Sequence, residues 1–218
     1  MAPVTNSLRF LNARGFRLAA DIVLPPGPGP FPAVVFAHDL LSTRENPAIH
    51  GTAEMLARSG IAAMLLDFTG HGDSEGTLED CTLEQQVEGL GAALDELERR
   101  PETDPERIGG VGVGTGALAM SLRAERDPRI RVLALWAPTA EATLDAIRRV
   151  PLPTLLVVGS EDREMLQGAM ALQDALAGQK EVLVVAGAGR SIEGPAQLEG
   201  LSVSTVEWFL DHLAASRP

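Results

Sequence analysis

The segment that most restricts the fold of this chain is Arg107–Ala117, which reads R-I-G-G-V-G-V-G-T-G-A. An apolar run ends there in closely spaced glycines, and a helix-compatible segment, Ala117–Arg126, follows at once. Glycine tolerates backbone angles that other residues avoid, so this spacing is typical of a sharp turn. The segment therefore predicts a strand, a tight turn and a helix in direct succession.

Short apolar runs alternate with segments of helical spacing along the rest of the chain, which is typical of an α/β fold. Apolar runs without polar alternation indicate strands that are buried on both faces. The pattern predicts one three-layer α/β/α domain over residues 1–218, with a mostly parallel sheet of eight strands. The predicted strands are Ser7–Asn12, Phe16–Leu24, Ala33–Ala37, Ile61–Leu66, Ile108–Val113, Val132–Trp136, Thr154–Val158 and Glu181–Val185.

Turn and cap residues set the expected limits of these elements. Pro25–Pro32 is rich in proline, which cannot donate to a strand ladder, and is predicted to be a loop. Asp104-Pro105 predicts a turn before the strand at Ile108. Thr82–Gln85 reads T-L-E-Q, the pattern of a capping box at a helix start, and Gly60 is predicted to close the helix Pro47–Ser59.

Composition excludes several classes of function. The chain has 218 residues and a formal charge of -12, which opposes binding to nucleic acid or to an anionic membrane. Its one cysteine, Cys81, excludes an internal disulfide and a cysteine-rich zinc site. The N-terminal residues form no apolar signal segment, so a cytoplasmic location is expected. We expect no metal and no cofactor.

Several motifs make the chain resemble the α/β-hydrolase superfamily, in particular dienelactone-hydrolase-like proteins, over nearly its whole length. Where this chain reads G-V-G-T-G-A, relatives read G-x-S-T-G-A, and the serine is the nucleophile. The other segments that support the resemblance are Val35–Asp39, Leu66–Ser74, Pro105–Gly109, Val157–Asp162 and Ala186–Arg190. The resemblance implies an α/β-hydrolase fold and a nucleophile, acid, histidine order along the chain. Many relatives insert a lid in the segment between Trp136 and Leu152, which here is about one short helix, so the resemblance implies no large lid.

Carried over residue by residue, that order places Gly114 at the nucleophile, Asp162 at the acid and Arg190 at the histidine. Gly114 has no side chain to attack a carbonyl, and arginine stays protonated, so Arg190 cannot serve as a general base. The resemblance therefore implies a degenerate triad in which only the acid is retained. An ion pair between Arg190 and Asp162 is expected in place of the histidine–acid contact.

The resemblance also implies a ligand-binding position beside the turn. The backbone N–H groups of Leu40 and Thr115 correspond to the oxyanion donors of relatives, and His38 precedes Leu40 on the loop after the third strand. Together with a helix N-terminus and Arg190, they are expected to favour a small anionic or ester-like ligand. The charges of Asp39 and Asp162 oppose such an anion.

Other residues with suitable chemistry are better explained structurally. Thr115 follows the missing nucleophile and is expected to point elsewhere. His71 and Ser74 lie in a G-H-G-D-S segment that forms a tight turn in relatives. Cys81 precedes a helix N-terminus, which favours a thiolate, but no histidine partner is identifiable in the sequence.

A nicotinamide cofactor is a weaker alternative. Gly112, Gly114 and Ala117 match G-x-G-x-x-A, a dinucleotide-binding pattern that expects an acidic residue at the end of the next strand. That strand, Val132–Trp136, is followed by A-P-T.

Two functional hypotheses remain from the sequence. In the first, the chain lacks serine-hydrolase activity and is a small-ligand-binding or interaction module. In the second, it hydrolyses small esters or lactones with a non-standard nucleophile or an activated water. Homo-oligomerisation is left open.

Overall fold

A computed structural model describes residues 1–213 and contains one mixed sheet of eight strands, as the sequence pattern predicts. Their order across the sheet is β1-β2-β4-β3-β5-β6-β7-β8. Strands β1 and β2 form an antiparallel hairpin, β2 runs antiparallel to β4, and all remaining neighbours are parallel. The strands are β1 (Val4–Leu11), β2 (Arg17–Leu24), β3 (Phe31–Ala37), β4 (Ala62–Leu66), β5 (Thr103–Val113), β6 (Ile130–Trp136), β7 (Thr154–Gly159) and β8 (Lys180–Val185).

Helices cover both faces of this sheet. Because side chains alternate along a strand, Val34 and Phe36 pack against one helical layer and Val35 against the other. One layer holds α1 (Pro47–Arg58) and α6 (Pro195–Leu213). The other holds α2 (Leu83–Arg99), α3 (Thr115–Arg126), α4 (Ala140–Ile147) and α5 (Arg163–Ala175). The result is the predicted three-layer α/β/α architecture.

Local sequence signals explain where the helices begin and end. Asn46 caps α1 by accepting from Ala48 N and Ile49 N, and Gly60 follows the helix with a φ of 89°. Thr82 accepts from Gln85 N at the start of α2, so half of the predicted capping box forms. The Gln85 side chain accepts from Asn12 instead, because the hairpin turn lies against this helix.

Two proline-containing segments differ from the prediction. β3 begins at Phe31 and includes Pro32, although Pro25–Pro32 is predicted to be a loop. The assigned strand β5 likewise includes Asp104-Pro105, which is predicted to be a turn. The pairing shifts here from Phe31↔Thr103 to Ala33↔Ile108, so the prolines lie at an irregularity of the ladder. A proline needs no N–H partner at such a place.

The carboxyl ends of the parallel strands meet at one edge of the sheet, and the sequence-predicted site residues follow those ends. His38 follows β3, Gly114 follows β5, and Asp162 lies shortly after β7. Between β6 and β7, helix α4 is short, which agrees with the predicted lack of a large lid. No helix within residues 1–213 combines the length and apolar character needed to cross a bilayer.

Candidate functional site

Gly114 forms the turn between β5 and α3, with a φ of 55° and a ψ of -117°. This positive φ strains any residue that has a β carbon, so glycine is the least costly choice here. At Gly112 and Gly116 a side chain is excluded by nearby backbone atoms. A β carbon on Gly112 would lie 2.5 Å from Ala117 Cα, and one on Gly116 would lie 2.4 Å from Ala37 O. The glycines therefore let α3 approach both strands closely.

The carboxylate of Asp39 lies where a side chain on residue 114 would begin. A β carbon built on Gly114 would be 2.5 Å from Asp39 Cγ, 2.6 Å from Oδ1 and 2.7 Å from Oδ2. All three distances are far below van der Waals contact, so a side chain at position 114 and this placement of Asp39 exclude each other. Asp39 follows β3 and reaches the turn after β5, its neighbour in the sheet.

One oxygen of this carboxylate accepts three hydrogen bonds. Leu40 N donates to Asp39 Oδ1 at 2.8 Å, and Thr115 N donates to the same oxygen at 3.0 Å. The Thr115 hydroxyl donates to it at 2.8 Å and also accepts from Leu40 N at 2.9 Å. The expectation that the Thr115 side chain points elsewhere is therefore wrong, because the Asp39 carboxylate offers its hydroxyl an acceptor at the turn. The two N–H groups that the sequence singles out therefore converge on one point, and an oxygen of the protein itself occupies that point.

His38 holds the backbone beside Asp39 and is itself fully buried. Its Nε2 accepts from Phe68 N at 3.1 Å, so its Nδ1 carries the proton and donates to Asp39 O at 2.7 Å. The pKa of His38 is lowered to about 4, mainly by burial and to a smaller extent by the nearby His71, against the opposing effect of the hydrogen bond to Asp39. His38 is therefore neutral near pH 7 and has no free ring nitrogen for a substrate.

A second set of contacts fixes the loop that carries Asp39. His71 contacts Leu40 O through Nε2 at 2.6 Å. Arg44, whose side chain is 11% exposed, donates through Nε to Asp21 at 2.9 Å and through a second nitrogen to Asp67. It also donates to Asp73 at 2.6 Å. These contacts join the loop after β3 to β2 and to the turn after β4.

Asp162 and Arg190 form the ion pair that the sequence predicts. Arg190 Nε lies 3.1 Å from Asp162 Oδ2, and the Arg190 side chain is 68% exposed. Asp162 also caps α5, since its Oδ1 accepts from Met165 N at 2.9 Å. The Met165 N–H, followed by Arg190, holds the pKa of Asp162 below its ordinary value against an opposing effect of desolvation. Asp162 is therefore an ionised helix cap with a cation beside it.

Within residues 1–213, no hydrogen bond links this pair to Asp39 or Thr115. The site thus consists of two separate units, the Asp39–Thr115 cluster and the Asp162–Arg190 pair. The sequence analysis treats Asp39 as a charge that opposes an anionic ligand and misses its place in the turn. The available signal is a charged residue on the loop directly after the third strand.

The remaining candidate residues have structural partners. Ser74 Oγ donates to Asp67 O and accepts from Ala19 N, which fits its predicted role in a turn. Cys81 is buried, and desolvation raises the pKa of its thiol. In the described part of the chain, no group of three or more His, Cys, Asp or Glu side chains is arranged to hold a metal ion.

Two cavities lie away from the turn. One of about 330 Å³ is lined by Asn12, Glu88 and Arg123 among others, and one of about 280 Å³ lies between β8 and α6. Neither is lined by Asp39, Gly114 or Arg190.

Solved structures share this architecture over nearly the whole chain. A dienelactone hydrolase from Anabaena variabilis aligns with a TM-score of 0.86 and 23% identity, covering 98% of this chain and 100% of its own. Est1E from Butyrivibrio proteoclasticus, solved with ferulic acid bound, aligns with a TM-score of 0.85 and 19% identity, covering 95% and 100%. These likenesses define an α/β-hydrolase fold, as the motifs predict.

Sequence comparison gives the family. The profile of the X-Pro dipeptidyl-peptidase (S15) family matches residues 14–145, and the chain belongs to this family. A putative phosphoribosyl transferase of Mycobacterium tuberculosis is 32% identical over 187 residues, which are 85% of this chain and 42% of that protein. A thiohydrolase of Aspergillus aculeatus is 31% identical over 165 residues, 75% of this chain and 50% of that protein. The chain thus spans half or less of these relatives.

Proposed function

We propose that this chain is a member of the hydrolase family without serine-hydrolase activity, and that it acts by binding a small ligand or a partner at the carboxyl edge of its sheet. The observation that carries the proposal is Gly114, which has the backbone of a nucleophile turn and no side chain. The pairing of Arg190 with Asp162 supports it, because the position of the base holds a permanent cation.

Acyl transfer needs a nucleophile that loses a proton and a base that accepts it. A glycine supplies no nucleophile, and an arginine side chain, which stays protonated throughout the accessible pH range, supplies no base. Removal of triad members leaves only about 10³–10⁴-fold catalysis over water, from the oxyanion donors and binding alone. Two such replacements in one site therefore favour a role other than serine hydrolysis.

Hydrolysis by an activated water is the second candidate. Thiohydrolase and acyl-coenzyme A thioesterase relatives of this chain motivate it. Asp39 is the specific structural support, since its Oδ2 accepts no hydrogen bond from residues 1–213 and lies at the nucleophile position. A carboxylate there would take a proton from a water that attacks an ester or thioester.

Turnover of p-nitrophenyl acetate and of an acetyl thioester distinguishes the two. We expect the wild-type rate to equal that of the Asp39→Asn variant, with no labelling by a fluorophosphonate. Wild-type turnover that is lost in Asp39→Asn would support the water mechanism and contradict the proposal. The Cys81→Ser and Thr115→Val variants test the other side-chain nucleophiles in the same assay.

The binding role has its own test. A library of small neutral, cationic and anionic molecules is screened against ¹⁵N-labelled protein, and amide shifts are mapped onto the fold. We expect ligand shifts to cluster at residues 38–42, 114–116 and 160–163. Clusters confined to the cavity between β8 and α6 would contradict this location.

A further inference from the structure

We propose that Asp39 is the resident anion of the oxyanion hole: its carboxylate fills the position that a substrate oxygen would occupy, and it closes the site to external oxyanions. This inference rests on the proposed function and adds a rule for the ligand. We expect the site to exclude molecules that bind through an oxyanion or an ester carbonyl. A group with an N–H or O–H donor could instead bind Asp39 Oδ2, which accepts no hydrogen bond from the described residues 1–213.

Three hydrogen bonds to Asp39 Oδ1 indicate that its carboxylate occupies the oxyanion position. Leu40 N and Thr115 N lie on different segments and point at one oxygen, the arrangement that stabilises a developing oxyanion in acyl transfer. Hydrogen bonds to a charged acceptor are roughly twice as strong as those between neutral groups. An external carboxylate would have to displace Asp39 from both N–H groups and from the Thr115 hydroxyl before it could bind.

A side chain at position 114 and the Asp39 carboxylate cannot occupy the same space. The Asp39 carboxylate fits only because residue 114 lacks a β carbon, which would lie 2.5 Å from Asp39 Cγ. The missing nucleophile and the filled hole are therefore two parts of one arrangement. Restoration of a serine at position 114 alone would meet the Asp39 carboxylate and find no free oxyanion donors.

Contacts of the loop after β3 hold the backbone of Asp39 beside the turn. His38 binds the Asp39 backbone, His71 binds Leu40 O, and Arg44 joins the same loop to Asp67 and Asp21. Asp67 and His38 are buried. Withdrawal of Asp39 by movement of the whole loop would break buried charge pairs, so the fold holds the backbone of Asp39 in place. The hydrogen bonds from Leu40 N, Thr115 N and the Thr115 hydroxyl then fix the rotamer of its carboxylate.

Amide hydrogen exchange on the wild type and the Asp39→Ala variant tests the contact without any ligand. Loss of a charge-assisted hydrogen bond is expected to speed exchange at Leu40 and Thr115 by about 10- to 100-fold. The Met165 amide, which Asp162 caps, is the matched control and should keep its rate. Unchanged exchange at both Leu40 and Thr115 would overturn the inference.

Acetate tests the exclusion. Saturable shifts of the Leu40 and Thr115 amides in wild-type protein at neutral pH would show an open hole and overturn the inference. We expect no such shifts in wild type or in Asp39→Asn, which keeps an oxygen in the hole.

Activity separates this inference from the proposed function. The Gly114→Ser/Arg190→His pair should stay inactive on p-nitrophenyl acetate, and addition of Asp39→Gly should produce turnover. If the pair alone is as active as the triple variant, Asp39 does not block the hole, and the proposed function stands. If the wild-type protein hydrolyses p-nitrophenyl acetate and this activity depends on Asp39, the proposed function is wrong. Hydrogen exchange at Leu40 and Thr115 then still tests whether Asp39 accepts their hydrogen bonds.

Discussion

The carboxylate of Asp39 and the α carbon of Gly114 pack together so closely that no β carbon fits between them. Asp39 follows the end of β3, and Gly114 follows the end of β5. The Asp39 carboxylate occupies its position only because Gly114 has no side chain. Their contact is the central feature of the site, and it leads to a stability prediction that does not depend on catalysis.

Gly114→Ala should destabilise the protein by about 2–4 kcal/mol, since overpacking costs about 1–3 kcal/mol and a strained φ adds a similar amount. Urea unfolding measures the change. In an Asp39→Ala background the steric part disappears, so the two substitutions should couple by about 0.5–3 kcal/mol.

Gly51 is the matched control for that series. It lies in α1 with no atom within 4 Å of an added β carbon. Gly51→Ala should raise stability by about 0.5–1 kcal/mol. Equal costs of Gly114→Ala in the presence and absence of Asp39 would contradict the steric argument.

Arg44→Met should destabilise the protein by about 3–5 kcal/mol, because it leaves the buried carboxylates of Asp21 and Asp67 without their cation. Arg58→Ala removes an exposed pair with Glu54 on α1 and should cost only about 0.3–0.5 kcal/mol. Chemical unfolding of both variants checks the contrast. Similar losses for the two would mean that the Arg44 cluster does not anchor the loop.

His38 should make stability fall as the pH drops from about 6.5 to about 4. The folded protein keeps His38 neutral because burial lowers its pKa to about 4, whereas the unfolded chain binds the proton near the ordinary value of 6.5. The unfolded state thus binds more protons in this window, and the effect amounts to about 3 kcal/mol.

Urea unfolding of the wild type and His38→Gln between pH 7 and pH 4 tests this window. The variant should be less stable at pH 7, with a flatter pH dependence. Imidazole ¹⁵N shifts should show His38 neutral with a protonated Nδ1 at pH 5; a charged ring there would contradict the prediction.

Asp162→Ala should lower the melting temperature more than Arg190→Ala. Asp162 caps α5 by accepting a hydrogen bond from Met165 N, and its loss removes both this cap and the ion pair. Arg190 is largely exposed, and its loss removes only a solvent-screened ion pair. Thermal unfolding of both variants at low and at high salt is the measurement. The Arg190→Ala loss should shrink with salt, and the Asp162→Ala loss should persist in part.

The sequence predicts most of the fold because the inner strands, such as β3, β4 and β7, are buried on both faces and leave apolar runs. The edge strand β8 is largely exposed, so the prediction of burial for Glu181–Val185 is wrong. The other errors fall at Pro32 and Asp104-Pro105, where a shift in strand pairing admits prolines into strands. Irregular pairing depends on the partner strand, so a single segment carries no sign of it.

The site is only partly predictable for a similar reason. Gly114 and Arg190 stand out in the sequence because the resemblance predicts a residue of fixed chemistry, a nucleophile and a base, at those two positions. The contact of Asp39 with Thr115 joins residues 76 positions apart and depends on one side-chain rotamer. From the sequence, the charge of Asp39 indicates only that an anionic ligand would be repelled. The three-dimensional geometry is needed to see that the Asp39 carboxylate itself accepts the hydrogen bonds of Leu40 N and Thr115 N.

The mutual exclusion of Asp39 and a side chain at position 114 also constrains any redesign of the site. With Asp39 in its present place, a serine at position 114 would meet the Asp39 carboxylate. Under the proposed function, serine hydrolysis on this fold would need changes at positions 39, 114 and 190 together, and none of the three substitutions alone would give measurable turnover.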